Sequence, residues 1–229
     1  MTFKDNVQYM RHMHNNMTQQ ELADALGVSR QTVSKWELGQ SEPELSRIRD
    51  LAAFFHVTVD ELLDPRLGTS KDHHSQIDIV RLPAFSHIPY TVISPEPEDD
   101  AITHAHMTAQ KLGIENPDII GWDFPNISQE QANVFHMHGY VASIRLDDKD
   151  QVDTKDMHVE RQPERAYVRI PVTEPFKAPF RLIPDAYGAL FRYMRVNRIP
   201  SLPEHDRFCF EKTYEQDGRM MMDIMIAIG

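Results

Sequence analysis

The sequence predicts a multidomain protein: an all-α domain of five helices holding a helix-turn-helix, then an α+β domain of duplicated βαββ units with an antiparallel sheet. Three observations lead there. Residues 18–39 read as two short helices about a tight turn, the second presenting polar side chains outward. Residues 66–76 are polar, with Gly and Ser and no apolar periodicity, and separate regions of different texture. Beyond them the order strand, helix, strand, strand occurs twice. At 229 residues each region is long enough to bury a core. The divisions are residues 1–67, a linker at 68–75, and residues 76–229.

In the first region Phe3, Val7, Met10 and His14 recur at helical spacing, giving a helix that covers the hairpin. Thr18 with Glu21 three positions on is a capping-box pattern, so a second helix starts there. Leu22, Ala23 and Leu26 form its apolar stripe, and Gly27 ends it. Val28 plugs the turn. Ser29 caps a third helix that buries Val33 and Trp36 and leaves Arg30, Gln31, Thr32, Ser34 and Lys35 facing solvent. Leu45, Ile48, Leu51, Ala52 and Phe55 give a fourth helix. Thr58 and Glu61 open a short fifth with Leu62 and Leu63, and Pro65 stops it. The exposed set suits the DNA major groove, where Arg forks to guanine, Gln pairs with adenine, and Lys and Thr reach bases or phosphates.

On these residues the stretch TQQELADALGVSRQTVSKWELG resembles the lambda-repressor-like (Cro/repressor-type, XRE family) helix-turn-helix, fitting TQxxLAxxLGVSxxTVSxWExG almost position for position. The resemblance implies that Arg30, Gln31 and Lys35 touch bases, that Gln19 holds a phosphate, and that Ser29, Thr32 and Ser34 complete the DNA-contacting set. It also implies that Glu37 anchors the reading helix to a basic residue of the first helix. The chain between Tyr9 and Thr18 is one residue longer than the family spacing, so Arg11 and His12 compete for Glu37. The alternative is a helical hairpin used for protein contacts; Gly27, Ser29, Trp36, Glu37 and Gly39 in one register argue against it.

Composition narrows the partners. The net charge is -11, and residues 1–68 hold seven Lys and Arg against ten Asp and Glu, so DNA binding must rest on local placement and weaken steeply with salt. A lone cysteine, Cys209, fits a reducing, cytoplasmic location. Lys4, Asp5 and Asn6 do not open a secretory signal, and no segment approaches bilayer-spanning length, so no membrane partner is expected.

In the second region IDIVRLP (77–83) reads as a strand, and the acidic, Pro-containing 94–100 leads into a helix with Ile102, Ala105, Ala109 and Leu112 on one face. DIIGWDFP (118–125) and FHMHGYVASIRL (135–146) read as strands. The second unit has a strand over 157–172, a helix with Pro184 in its first turn and Tyr187, Leu190, Phe191 and Met194 on one face, and strands over 207–214 and 220–229 about Asp217 and Gly218. The units share a local phrase, Val80-Arg81-Leu82-Pro83 against Glu160-Arg161-Gln162-Pro163.

The duplication, the GWDFP segment and the ending CFEKTYEQDGRMMMDIMIAI resemble the gyrase-inhibitor-like (GyrI-like) effector-binding domain, also found behind the DNA-binding parts of AraC-type and MerR-type regulators. The resemblance implies a cleft between the halves for a small, often cationic and aromatic molecule, with a strand glutamate matching Glu211. Strand alternation puts Cys209, Glu211 and Thr213 on one face and Phe208, Phe210, Lys212 and Tyr214 on the other. A carboxylate among aromatic rings favours a cation by charge and by cation–π attraction. Trp122, Tyr140, Tyr167 and Phe191 are candidate walls, and Met220 to Met222 with Met225 a candidate adaptable lining.

His136 and His138 alternate within a candidate strand and could both reach one metal, but no Cys, Asp or Glu sits nearby in sequence to complete a site. No nucleophile elbow, phosphate loop or zinc-protease pattern appears, so neither enzyme nor cofactor is expected. Because some relatives of the effector domain are hydrolases, the alternative is a hydrolase, with Glu211 as general base, or a sequestering protein. The sequence therefore points to a ligand-responsive, DNA-binding transcriptional regulator, a homodimer whose two readers occupy operator half-sites in an inverted repeat.

Overall fold

The computed structural model describes residues 3–64, 67, 76–146, 152–203, 206 and 208–229. The expected linker at 68–75 and the stop at Pro65 lie outside the described residues.

Five helices come first: α1 (Phe3–Met13), α2 (Gln19–Leu26), α3 (Arg30–Leu38), α4 (Leu45–Phe54) and α5 (Val59–Leu63). Their ends follow local chemistry. Thr18 with Glu21 and Thr58 with Glu61 each make both bonds of a capping box, and Gly27 closes α2 in the left-handed region at φ 63°. The residue added between α1 and α2 is absorbed by Asn15 and Asn16, both left-handed, a conformation asparagine tolerates. Met10, Met13, Leu22, Val33, Trp36, Leu51, Phe55 and Leu62 fill the core. Leu45 and Leu63, expected on apolar faces, are exposed instead, Leu45 as the first residue of α4 and Leu63 as the last of α5.

Arg11 wins the competition for Glu37. Its Nε and Nη2 donate to Glu37 Oε1 and Oε2 at 2.6 and 3.0 Å, with both side chains buried. His12 is a poorer partner, because burial and the neighbouring Arg11 charge lower its pKa and favour the neutral ring.

Eight strands follow, all in one antiparallel sheet: β1 (Asp78–Leu82), β2 (Phe85–Ser94), β3 (Asp118–Asp123), β4 (His138–Leu146), β5 (Glu160–Gln162), β6 (Arg165–Thr173), β7 (Cys209–Gln216) and β8 (Arg219–Ile228). Their spatial order is β1-β6-β8-β7-β3-β4-β2-β5. Exchanging β1 to β4 with β5 to β8 and reading backwards returns the same order. The halves are thus related by a pseudo-two-fold between β3 and β7, where Gly121 pairs with Glu211.

The sequence pattern gives each unit one opening strand, whereas the structure gives two. Pro83 and Pro163 lack an N–H for the ladder and end the short strands β1 and β5. Pro89 lies within β2 and hides it from the pattern. The short strands are exchanged between the halves: β1 pairs with β6, and β5 with β2. Leu82 faces Arg165 and Gln162 faces Phe85, the same register in both exchanges, which explains the repeated phrase. Arg169 clamps β1 in place with a fork to both oxygens of Asp78 at 2.9 and 2.7 Å and a third bond to Asp223 at 3.3 Å.

Helices α6 (Pro97–Lys111), α7 (Gln129–Asn133) and α8 (Pro179–Val196) interrupt the strands. Directly paired residues share a face, so Ala142, Gly121, Glu211, Ile224 and Ile170 form a row on one side of the sheet. α6 packs on one end of this row through Ala101, Ala105 and Ala109. α8 packs on the other end through Ala186, Leu190 and Met194. Gly121 and Glu211 are left between them. α8 begins at Pro179, which takes the first-turn role expected of Pro184; Pro184 lies inside the helix and removes one of its hydrogen bonds. The opposite face carries Phe85, Ile120, Tyr167, Phe210 and Met225, a cluster that draws β2 and β6 together although they lie near opposite ends of the strand order. The methionines do not line the cavity: Met222 packs on the α8 side, Met225 in this cluster, and Met220 is exposed.

α8 also carries the five-helix unit. Arg192 Nη1 donates to the Tyr9 hydroxyl at 3.1 Å with its guanidinium 5.8 Å from the ring centre, and Tyr193 donates to Asn15 Oδ1 at 3.2 Å. Asn197 Nδ2 donates to the Met13 carbonyl at 2.8 Å, and Arg195 pairs with Glu61 at 2.7 Å. One apolar cluster runs through from Met10 and Met13 to Leu190 and Met194.

Because Arg11 and Glu37 are both buried, Glu37→Ala strands an uncompensated charge and should cost about 3–5 kcal/mol in urea unfolding. The double variant Arg11→Met, Glu37→Leu should recover most of that loss; a single variant as stable as the parent would contradict the buried pair.

Candidate DNA-reading face and ligand cleft

The candidate reading helix α3 is set at its start by Ser29, whose Oγ accepts the Thr32 N–H at 3.1 Å and lies 2.8 Å from the Thr32 hydroxyl. Val33, Trp36 and Glu37 are buried, while Arg30, Gln31 and Lys35 are exposed. Arg30, Gln31, Ser34 and Lys35 line one shallow depression of about 240 Å³ together with Gln40, which the sequence reading missed. Gly39, left-handed at φ 69°, turns the chain and brings Gln40 back beside α3. Gln19 is tied to the same frame: its Nε2 donates to Glu37 Oε2 at 2.8 Å.

The second site grows from the seam of the sheet. Tyr187 on α8 donates its hydroxyl to Glu211 Oε1 at 3.1 Å. Across the seam, a Cβ on Gly121 would come within 2.0 Å of the Tyr140 hydroxyl. Glycine is therefore what lets the phenol lie over β3. Asp123, two residues on and on the same face, pairs directly with Tyr140. A cavity of about 630 Å³ opens beside this seam, lined by Pro95, Glu96, Pro97, Glu98, Asp99, Asp123, His138, Tyr140 and Phe180 but not by Glu211 itself.

The electrostatics are those of carboxylates with too little cation. Burial pushes Glu211 up to about 7; the Tyr187 hydrogen bond opposes the shift, while the charges of Asp123 and Glu98 add to it. Burial also raises Glu98, helped by Asp99 and Asp123, and raises Asp123 against the pull of His138. Burial and the facing carboxylates push the Tyr140 and Tyr187 phenols well above their usual value, so both remain neutral hydrogen-bond donors.

Of the four aromatic walls expected, only Tyr140 is brought to the cavity. Trp122 follows Gly121 in the same strand and so points to the other face, where it meets Phe208 edge-on at 5.2 Å. Tyr167 is fully buried on that face, 5.5 Å from Phe210. Phe191 is exposed on α8, one turn beyond Tyr187. Tyr187, Asp123, Glu98 and Phe180 were missed, although the helical face of Tyr187 and the alternation from Gly121 to Asp123 were both visible. The histidine pair does not share a strand face: His136 precedes β4 with φ 50°, and His138 starts it beside Asp123 at the cavity.

Comparison with known proteins matches the segment that carries the first site. The helix-turn-helix family HTH_3 matches residues 8–62. The chain is 43% identical over 63 residues to the HTH-type transcriptional activator BcrR of Enterococcus faecalis, 28% of this chain and 30% of BcrR. It is 41% identical over 59 residues to the uncharacterized HTH-type transcriptional regulator MJ0272 of Methanocaldococcus jannaschii, 26% of this chain and 88% of that protein. The chain belongs to this helix-turn-helix family of DNA-binding transcriptional regulators. It spans less than a third of BcrR. Among solved structures, the EcmrR C-terminal domain aligns with a TM-score of 0.46 at 12% identity, over 67% of this chain and 97% of that one.

The raised carboxyl at Glu211 has a stability signature. A group whose pKa is higher folded than unfolded holds its proton more tightly in the fold. Its penalty is absent below the unfolded value of 4.5 and grows as pH rises to about 7. Glu211→Gln should therefore raise the melting temperature at pH 8, with a gain of about 1–3 kcal/mol that vanishes near pH 4. A difference independent of pH would contradict the burial of this carboxyl.

Proposed function

We propose that the chain is a one-component transcriptional regulator in which α3 reads an operator half-site, the cleft at Glu211 receives a small organic cation, and α8 links the two. The observation that carries this reading is the double attachment of α8. Tyr187 reaches Glu211, and Arg192, five residues on and so about 7.5 Å further along the helix, reaches Tyr9 of the reader unit. A cation in the cleft favours ionised Glu211 over its protonated form and changes what Tyr187 is bonded to. The position of α8 then biases a pre-existing equilibrium between reader arrangements.

In this reading Arg30, Gln31 and Lys35 contact bases, and Ser29, Thr32 and Ser34 lie along the groove. The second amide N–H of Gln19 is left for a phosphate. Two chains pair as a homodimer so that two readers meet an inverted repeat. With a net charge of -11 the complex depends on these few local contacts and dissociates readily as salt rises. A pKa near 7 would also suit a general base, so the hydrolase alternative predicts turnover of a cleft ligand, and the sensor predicts reversible binding without it.

Two measurements test the proposal. On operator fragments selected from genomic DNA, Arg30→Ala should weaken binding by about 1–3 kcal/mol and relax preference at one base pair, whereas unchanged retention would contradict groove reading. The double variant Arg192→Ala, Asn197→Ala should still bind decyltrimethylammonium but no longer change operator affinity when it does. An undiminished response in that variant would remove α8 as the link.

A further inference from the structure

We propose that the cleft selects a ligand with two cationic centres, one held at Glu211 and the second by Glu98 and Asp123 in the neighbouring cavity at the start of α6. The inference rests on the cation-binding reading of Glu211 and goes beyond it to the chemical class of the ligand.

The placement of Glu98 supports it. Acidic residues in the first turn of a helix are ordinary companions of the helix dipole, and that suffices for the exposed Asp100. It does not account for Glu98, which is half-buried in the cavity lining, where the more exposed Glu96, Asp99 and Asp123 also lie. No ion pair to either carboxylate is found among the described residues, although the chain pairs several buried or half-buried acids: Glu37 with Arg11, Asp223 with Arg169, and Asp118 with Arg145 and Lys212. One positive charge at Glu211 leaves two neighbouring carboxylates uncompensated in a partly desolvated space.

The cavity has further features of a ligand site. Tyr140 lines it with 7% of its surface exposed, and its hydroxyl has no hydrogen-bond partner among the described residues. Tyr140 pairs with Asp123 in the sheet, and its hydroxyl lies over Gly121, the residue paired with Glu211, so the phenol extends from one carboxylate's place in the sheet towards the other's. It offers an aromatic surface to the body joining two cations. Phe180, from the first turn of α8, stands 98% exposed at the rim, an apolar ring with nothing packed on it. The Pro95 and Pro97 backbone gives that rim a stiff wall. A volume of about 630 Å³ accommodates a molecule of drug size.

The test is calorimetric titration of the full chain with two matched probes, decyltrimethylammonium and its bis-quaternary counterpart decamethonium. Decamethonium should bind about tenfold more tightly, the scale of one additional partly desolvated charge pair. In Glu98→Gln, Asp123→Asn that ratio should fall to about one, whereas Asp100→Asn, outside the cavity, should leave it unchanged. A ratio near one in the parent chain, or one that survives the double substitution, overturns the second centre while leaving the Glu211 reading intact. If neither probe binds, or if both bind equally well to Glu211→Gln, the reading of the cleft itself fails and the dication inference falls with it.

Discussion

Half-burying a carboxylate at the seam of a sheet, with no ion pair to it among the described residues, is the constraint around which the C-terminal half of this protein is arranged. Glu211 sits where the two repeats meet, so neither helix covers it and each helix bounds the space above it. Gly121 opposite it removes the side chain that would fill that space, and Tyr140 and Tyr187 occupy the flanks with neutral donors. The arrangement leaves the fold under electrostatic tension that a cation would relieve. Sites of that kind are commonly where stability has been traded for binding.

The exchange of β1 and β5 between halves explains why the seam is a fixed place. Each half closes its outer edge with a strand from the other, so the repeats cannot separate without breaking both ladders and the Arg169 clamp on Asp78. Movement is therefore more easily taken up by the helices lying on the sheet than by the sheet itself. α8 is the helix with a reason to move, because it touches Glu211 on one side and α1 and α5 on the other.

How much of this was legible in the sequence depended on how local the determining physics is. The helix-turn-helix was written in capping boxes, a left-handed glycine and an apolar stripe within 22 consecutive residues, and each of those signals acts over one helical turn. The duplicated unit was visible because it repeats, yet β2 was hidden by Pro89, and β1 and β5 showed only as a shared phrase whose meaning lay in an exchange of partners. Glu211 was singled out by resemblance and by alternation. Tyr187 was not, because it reaches Glu211 from a helix distant in sequence, and Glu98 was not, because it enters the adjacent cavity from another helix; no spacing records either approach. Trp122 and Tyr167 misled because an aromatic near the right segment says nothing about its face until the strand register is known.

The most direct test of the link between cleft and reader is hydrogen exchange along the full chain, with and without decyltrimethylammonium. The account predicts that the cation changes protection in α8 (Pro179–Val196), in the last turn of α1 and in α5, as well as at the cleft strands β3 and β7. Changes confined to the cleft strands, with α1, α5 and α8 exchanging as before, would contradict it.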